Sequence, residues 1–317
     1  SKALFAALHF DVFSHIAAGA GTAAEVGAAA GLHEERARTL LTALAGLGLI
    51  AIEGERVANA PAAEAFLVRG ARYDFGDYLR FQIDRQMYGL MGQIEDALAD
   101  RLPPEATASY AEWFKDPEAA ATYSRSQHAG SLGPARSLAR GVDLSAAKTL
   151  LDVGGGTGAF AITLAQAFPE LHVTVVDFQN VAALGRDHVA EAGLSDRITY
   201  REGDGLEAAW PAGQDAILMS YLFSGVPGEA HPRLIARAFE HLAPGGRLMI
   251  HDFMVEAGRT GPKLAALWQL QHTAFTPQAR SLDTGWLSST LTEAGFAEVS
   301  VTPMIPGMTM LGTGVQG

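Results

Sequence analysis

Apolar positions recur at helical spacing through residues 1–67, where Ala and Leu dominate. The opening SKALFAALHFDVFSHIAAG is apolar but carries His9, Asp11 and His15. It predicts an amphipathic helix rather than a secretory leader. TAAEVGAAAGL (22–32) predicts a cap and a short helix, and HEERARTLLTALAGLGLI (33–50) a longer helix closed by Gly48. IAIEGERVAN (50–59) predicts a hairpin turning at Glu53-Gly54. Helix, helix, hairpin is a winged-helix order. Residues 71–145 are helical and more polar, interrupted at Pro103-Pro104. They predict a region that links two domains and covers the site between them.

From Lys148 the period changes. KTLLDVGGG reads as a strand into a glycine turn, AFAITLAQAFPE as a helix and LHVTVVD as a second strand. RITYREGD, DAILMSY and GRLMIHDF read as further strands with helical segments between them. EVSVTPM and MTMLGTGV close the chain as an antiparallel pair. Alternating strands and helices predict an α/β fold with a doubly wound, mostly parallel sheet. The expected division is 1–70, 71–145 and 146–317.

Composition narrows the function. The chain of 317 residues has 23 basic and 35 acidic side chains, a net charge of −12. Nucleic acid selects clustered Lys and Arg. The expected recognition helix instead holds Glu34, Glu35, Arg36 and Arg38, a balanced set. No nucleic-acid partner is expected, and the Ala- and Leu-rich helices suit burial against a second subunit. Cysteine is absent, which excludes disulfides, cysteine-based metal sites and thiol nucleophiles. No apolar run reaches the roughly 18–20 residues of a membrane span. The expectation is a cytoplasmic protein with no membrane partner and no metal. The start without Met reads as trimmed.

The strongest motif is Leu151-Asp152-Val153-Gly154-Gly155-Gly156-Thr157-Gly158, between a strand and a helix. Glycine lets the backbone turn sharply and approach a ligand. Asp177 ends the next strand, where a carboxylate accepts from both ribose hydroxyls of a nucleoside. A dinucleotide needs its pyrophosphate at the helix N-terminus. Asp152, just before the glycines, repels phosphate and suits a ligand carrying an ammonium or sulfonium. Asp204, in REGDGL, is placed for an adenine amino group. These acids favour S-adenosylmethionine (SAM) over a dinucleotide.

LDVGGGTG, VVDF, EGD and APGGRLMIHD resemble the SAM-dependent small-molecule O-methyltransferases, and the N-terminal segment resembles their winged-helix-like dimerisation domain. The resemblance spans nearly the whole chain. It implies a class I methyltransferase, Rossmann-like fold, a homodimer, SAM as cofactor and S-adenosylhomocysteine as product. It also implies that Gly154, Gly156, Asp177, Phe178, Asp204, Gly205 and Ser220 line the cofactor pocket, beside Asp152. Ser131 corresponds to a serine near the methionyl carboxylate.

One segment departs from that pattern. The family's O-methylating members carry His-Asp after the fourth strand, the His serving as general base. Here the two positions hold Ser224 and Gly225. A serine cannot accept a proton as imidazole does near neutral pH. His231 lies at a helix start and reads as a surface or cap residue. A thioether or an electron-rich carbon needs no base at methyl transfer. The helix Tyr123-Ser124-Arg125-Ser126-Gln127-His128 overlaps the family's substrate-facing helix, where many members have Phe and Met. Tyr123 and Gln127 make that pocket more polar. Gln269 and His272 share a face of the second substrate-lining helix. YSRSQHAGSLGP is similar to the bacterial S-methyltransferases that act on 4-methylthio-2-hydroxybutyrate (MTHB) in dimethylsulfoniopropionate synthesis. The resemblance implies MTHB as small-molecule substrate, held by Tyr123, Gln127, His128, Gln269 and His272. Other readings stay open: His128 or His272 as a relocated base, O- or C-methylation of a larger natural product or pigment, a SAM-sensing regulator, or a repurposed family member.

Overall fold

The computed structural model describes residues 2–103 and 110–317. Pro104, half of the expected Pro-Pro break, lies outside the described residues. The chain forms two compact units, Ser1–Gly89 with Arg125–Gly130, and Leu90–Ser124 with Ser131–Gly317. The expected linking region is thus shared between them.

In the first unit, helices Lys2–His9, Val12–Ala17, Ala23–Ala30 and Glu34–Gly46 precede strands β1 (Ile50–Glu53) and β2 (Arg56–Asn59). Thr22 caps the third helix by accepting from the Glu25 N–H, and Gly48 turns the chain at φ +69° after the fourth. Glu53 pairs with Arg56, so the hairpin turns at Gly54-Glu55, one residue later than expected. Gly54 has φ +63°, a conformation that glycine adopts without strain. Leu8, Phe13, Val26, Leu41, Leu44 and Val57 fill this unit's core.

The second unit is built on a seven-stranded sheet of order β5-β4-β3-β6-β7-β9-β8. The strands are β3 (Thr149–Val153), β4 (His172–Asp177), β5 (Ile198–Glu202), β6 (Gln214–Ser220), β7 (Leu242–Asp252), β8 (Phe296–Ile305) and β9 (Thr309–Gln316). Of the seven strands, β9 alone runs opposite to the other six. Side chains alternate between faces. Leu150 enters one core with Phe160 and Leu164, while Leu151 and Val153 enter the other with Leu234, Ile235 and Leu287. Both faces are covered, which accounts for the near-continuous apolar strands. The order reverses between β3 and β6. That crevice, at the carboxyl ends of the strands, is where such sheets bind ligands.

Candidate active site

β3 ends at Val153 and the chain turns through Gly154, Gly156 and Gly158, at φ +68°, +60° and +80°. Helix Ala159–Ala167 follows. Asp177, at the end of β4, braces the turn. Its Oδ2 accepts from the Gly156 N–H at 2.7 Å and its Oδ1 from the Phe178 N–H at 2.8 Å. Burial pushes this carboxyl up to about 6, against the pull of those two bonds; Asp204 pushes it the same way. The Asp152 carboxylate lies beneath the turn, fully buried. A Cβ on Gly155 would stand 2.6 Å from Asp152 Cγ, so only glycine closes over it. Neither Asp152 oxygen has a hydrogen-bond partner among the described residues. Burial, then Asp177, raises its pKa to about 7.

Other expected cofactor residues sit around this edge. Asp204 Oδ1 accepts from the Leu206 N–H at 2.8 Å. A Cβ on Gly205 would come 2.9 Å from Val153 Cγ1. The half-buried Phe178 ring meets Phe114 edge-on at 5.9 Å. Ser220 Oγ lies 2.8 Å from His251 Nδ1, and Ser131 is buried on helix Pro117–Gly141. Tyr200 escaped the sequence reading. Its O–H donates to the Gly156 carbonyl at 3.2 Å, and its oxygen would stand 2.6 Å from a Cβ on Gly158. Its only signal was a large polar aromatic on the strand beside the acidic ends. A glycine cradle over a buried, unpaired carboxylate fits a nucleoside that carries a cation, and fits a pyrophosphate poorly.

Beyond β6 the chain leaves through Tyr221, at φ +57°, a strained conformation for an aromatic residue. Leu222 Cδ1 lies 3.1 Å from where a Cβ on Gly154 would be, so this segment starts at the cofactor turn. The short turn Phe223–Gly225 is then held from three sides. The Ser224 N–H donates to Asp252 Oδ2 at 2.9 Å. His231 Nε2 donates to the Phe223 carbonyl at 2.8 Å, and His272 Nδ1 to the Ser224 carbonyl at 3.1 Å. A carbonyl only accepts, so these contacts assign the ring protons.

The surface or cap reading of His231 is corrected, because its side chain is wholly buried. Burial lowers His231 and His272 to about 4 each, so both are neutral at pH 7. Asp252 also escaped the sequence reading, although it ends β7 as Asp177 ends β4. Burial raises it to about 6, opposed by hydrogen bonds from Ser224, Phe253 and Phe223.

A cleft of about 370 Å³ opens beside this turn, lined by Ser224, Val255, Ala266, Gln269, His272 and Thr273 among others. The substrate-donor reading of Gln269 is corrected. Its Nε2 donates to the Phe253 and Leu282 carbonyls at 2.8 and 2.7 Å, and its Oε1 accepts from Ser281 Oγ at 2.7 Å. Both amide protons are spent on tying the 281–282 segment to Phe253, just past the end of β7. Around Tyr123 the neighbours are aromatic. Its ring packs with Tyr110, Trp113 and Phe114 at 5.1–5.5 Å, and its hydroxyl donates to that of Tyr110 at 3.3 Å. Gln127 and His128 belong to the first unit, and Gln127 Oε1 is buried without a partner among the described residues.

The O-methyltransferase domain family matches residues 105–297, and the O-methyltransferase dimerisation domain matches residues 1–69. The chain belongs to the O-methyltransferase family. It is a SAM-dependent methyltransferase. The chain is 32% identical to the N,N-dimethyltransferase OxyT of Streptomyces rimosus over 304 residues, 93% of this chain and 87% of that one. It is 29% identical to the 3-hydroxy-5-methyl-1-naphthoate 3-O-methyltransferase of Streptomyces sahachiroi over 299 residues, 94% of this chain and 86% of that one. The fold is shared with human N-acetylserotonin methyltransferase, solved in complex with SAM. That likeness has a TM-score of 0.84 at 20% identity and covers 100% of this chain and 93% of the other. The class I fold with an N-terminal dimerisation domain is therefore as expected.

Proposed function

We propose that this enzyme methylates the thioether sulfur of a small hydroxy acid, with MTHB as the acceptor, and that it works as a cytoplasmic homodimer through residues 1–69. The observation that carries the reading is Ser224 at the position where the resembled O-methylating members hold their base. A phenol of pKa near 10 is ionised only about one part in a thousand at pH 7. A positioned base contributes roughly 10²–10⁴-fold there. A thioether has no proton to lose, so its absence costs nothing.

SAM supplies an activated methyl group on a sulfonium. In this proposal Asp177 accepts from the ribose, Asp204 from the adenine amino group, and Asp152 balances the cofactor's positive charge. Gly154, Gly156 and Gly205 let the backbone approach, Phe178 packs on the base, and Ser131 and Ser220 complete the polar edge. Within the second unit, Tyr123 orients the acceptor. The Tyr110, Trp113 and Tyr123 rings suit a methylthio group and the positive charge that grows on it.

A specific observation favours a second reading. With Nδ1–H bound to the Ser224 carbonyl, His272 keeps a lone pair on Nε2, beside the cleft. That makes it a candidate base for O-methylation, in keeping with the oxygen acceptor in the name of the naphthoate relative. The deciding measurement is kcat against pH for wild type, His128→Ala and His272→Ala, with MTHB and with a phenol. The S-methylation reading expects MTHB turnover with no ionisation limb that either His removes. Inert MTHB beside a phenol whose limb vanishes in His272→Ala establishes the second reading instead.

A further inference from the structure

Two arginines are among the residues that line the cleft with Ser224 and His272, Arg259 and Arg280. Arg259 is committed. Its Nη2 pairs with Asp283 Oδ2 at 2.9 Å and its Nη1 donates to Ser281 Oγ at 2.8 Å. Arg280 is not. Its guanidinium carbon lies 4.6 Å from the centre of the Trp286 ring, and it has no acid partner among the described residues.

The backbone that carries Arg280 is nonetheless fixed. Pro227 bridges to Ala279, and the Gly228 N–H donates to the Gln278 carbonyl at 2.9 Å. A Cβ on Gly228 would stand 2.9 Å from Arg280 Cβ, so the two segments touch. An arginine held against an indole keeps its N–H donors in a preset plane, which suits a bidentate contact to a carboxylate. The distance along the chain is also short. Leu222 packs on the cofactor turn, and Ser224, two residues on, lines the cleft.

We propose that Arg280 is the carboxylate anchor of the methyl acceptor, so that the cleft selects short acids over their neutral esters. The proposal rests on the reading of the acceptor as a hydroxy acid, and it adds the residue that recognises the acid. Ser224 and His272 then face the middle and reacting end of the acceptor, with the carboxylate at Arg280.

The test compares KM for MTHB and for its methyl ester in wild type, Arg280→Ala and Arg280→Lys. A parallel arm uses 4-hydroxybenzoate and its methyl ester. Arg280→Ala should raise KM for the acid roughly five- to thirtyfold, the range of a charge-assisted contact partly screened by water. KM for the ester and for SAM should stay unchanged, and Arg280→Lys should restore part of the loss. An acid KM that does not move, or an ester KM that rises equally, overturns the proposal. If MTHB is inert while 4-hydroxybenzoate shows the Arg280-dependent preference, the S-methylation reading has failed and the anchor stands. If neither acid turns over, calorimetric titration of MTHB into the enzyme with S-adenosylhomocysteine reads the same contrast. Equal binding by wild type and Arg280→Ala, or none by either, then overturns it.

Discussion

The cofactor turn and the Phe223–Gly225 turn lie at the same edge of the same sheet, yet they are made in opposite ways. The first is local. Eight consecutive residues from Leu151 form it, and the distant side chains that bond to it meet at one residue, Asp177 accepting from the Gly156 N–H and Tyr200 donating to the Gly156 carbonyl. The second is assembled from Ser224, His231, Asp252 and His272, which come from four separate stretches of chain. The cofactor turn also keeps a carboxylate, Asp152, buried without a partner among the described residues, whereas the second turn has its Ser224 N–H and its Phe223 and Ser224 carbonyls each matched by a side chain, although His231 Nδ1 is itself left without a partner there. A ligand of fixed charge is served by leaving one charge unmatched. A turn that only has to stay in place is served by satisfying its backbone.

The largest effect should come from the second turn. Asp252→Ala removes the acceptor of the Ser224 and Phe253 N–H groups, at 2.9 and 2.8 Å, and leaves both buried. Stability should fall by about 2–4 kcal/mol, counting roughly 1–3 kcal/mol for each unsatisfied group with some overlap. Urea unfolding checks this. A variant as stable as wild type breaks the contrast, because the turn would then not depend on its side-chain clamp.

Asp152 sharpens the same contrast through pH. Its folded pKa, about 7, stands above the ordinary 3.8. The folded state therefore holds a proton that the unfolded state has lost, and folding becomes less favourable as pH rises from about 4 to about 7. Below that window the cost is absent and above it the cost is complete, on the order of a few kcal/mol. Asp152→Asn should flatten this slope in the protein without cofactor and weaken SAM binding. Unfolding midpoints at pH 5 and pH 8 read the first effect. An unchanged slope in the variant shows that another group carries it.

Asp177→Ala should have a more specific consequence. Loss of a charge-assisted contact to the cofactor, worth on the order of 1.5–3 kcal/mol, lowers SAM affinity about ten- to a hundredfold. Calorimetric titration measures it. Wild-type affinity would remove Asp177 from the cofactor side altogether.

The two turns also differ in how much of each is legible in the chain. LDVGGGTG lies between a strand and a helix in one continuous stretch, so residue type, spacing and context agree within a single segment. VVDF carries the same message one strand later. The helices, the small hairpin and the alternation of strand and helix from Lys148 were legible for the same reason, since periodicity is a property of neighbours in sequence. The dimerisation domain was legible as a resemblance. His231 misled because a histidine two residues into a helix is usually solvated, and nothing nearby in sequence announces the Phe223 carbonyl that it binds when buried. Gln269 misled because helical spacing tells which face a residue shares but not what waits there. Asp252 passed unnoticed inside IHDF although it ends a strand as Asp177 does.

Local sequence, by itself, determined the fold class, the glycine turn with Asp152 beneath it, and the absence of a histidine at position 224. Each is settled by residues within a few positions of one another, where backbone sterics and side-chain period act directly. Tertiary structure alone decided that His231 and His272 hold consecutive carbonyls, that Gln269 is spent on the 281–282 segment, and that Arg280 stands over Trp286 with no acid partner among the described residues. Those outcomes depend on which distant groups meet in the folded chain. Burial then acts on the meeting, stripping water from each polar group and leaving it only the partner that the fold has brought.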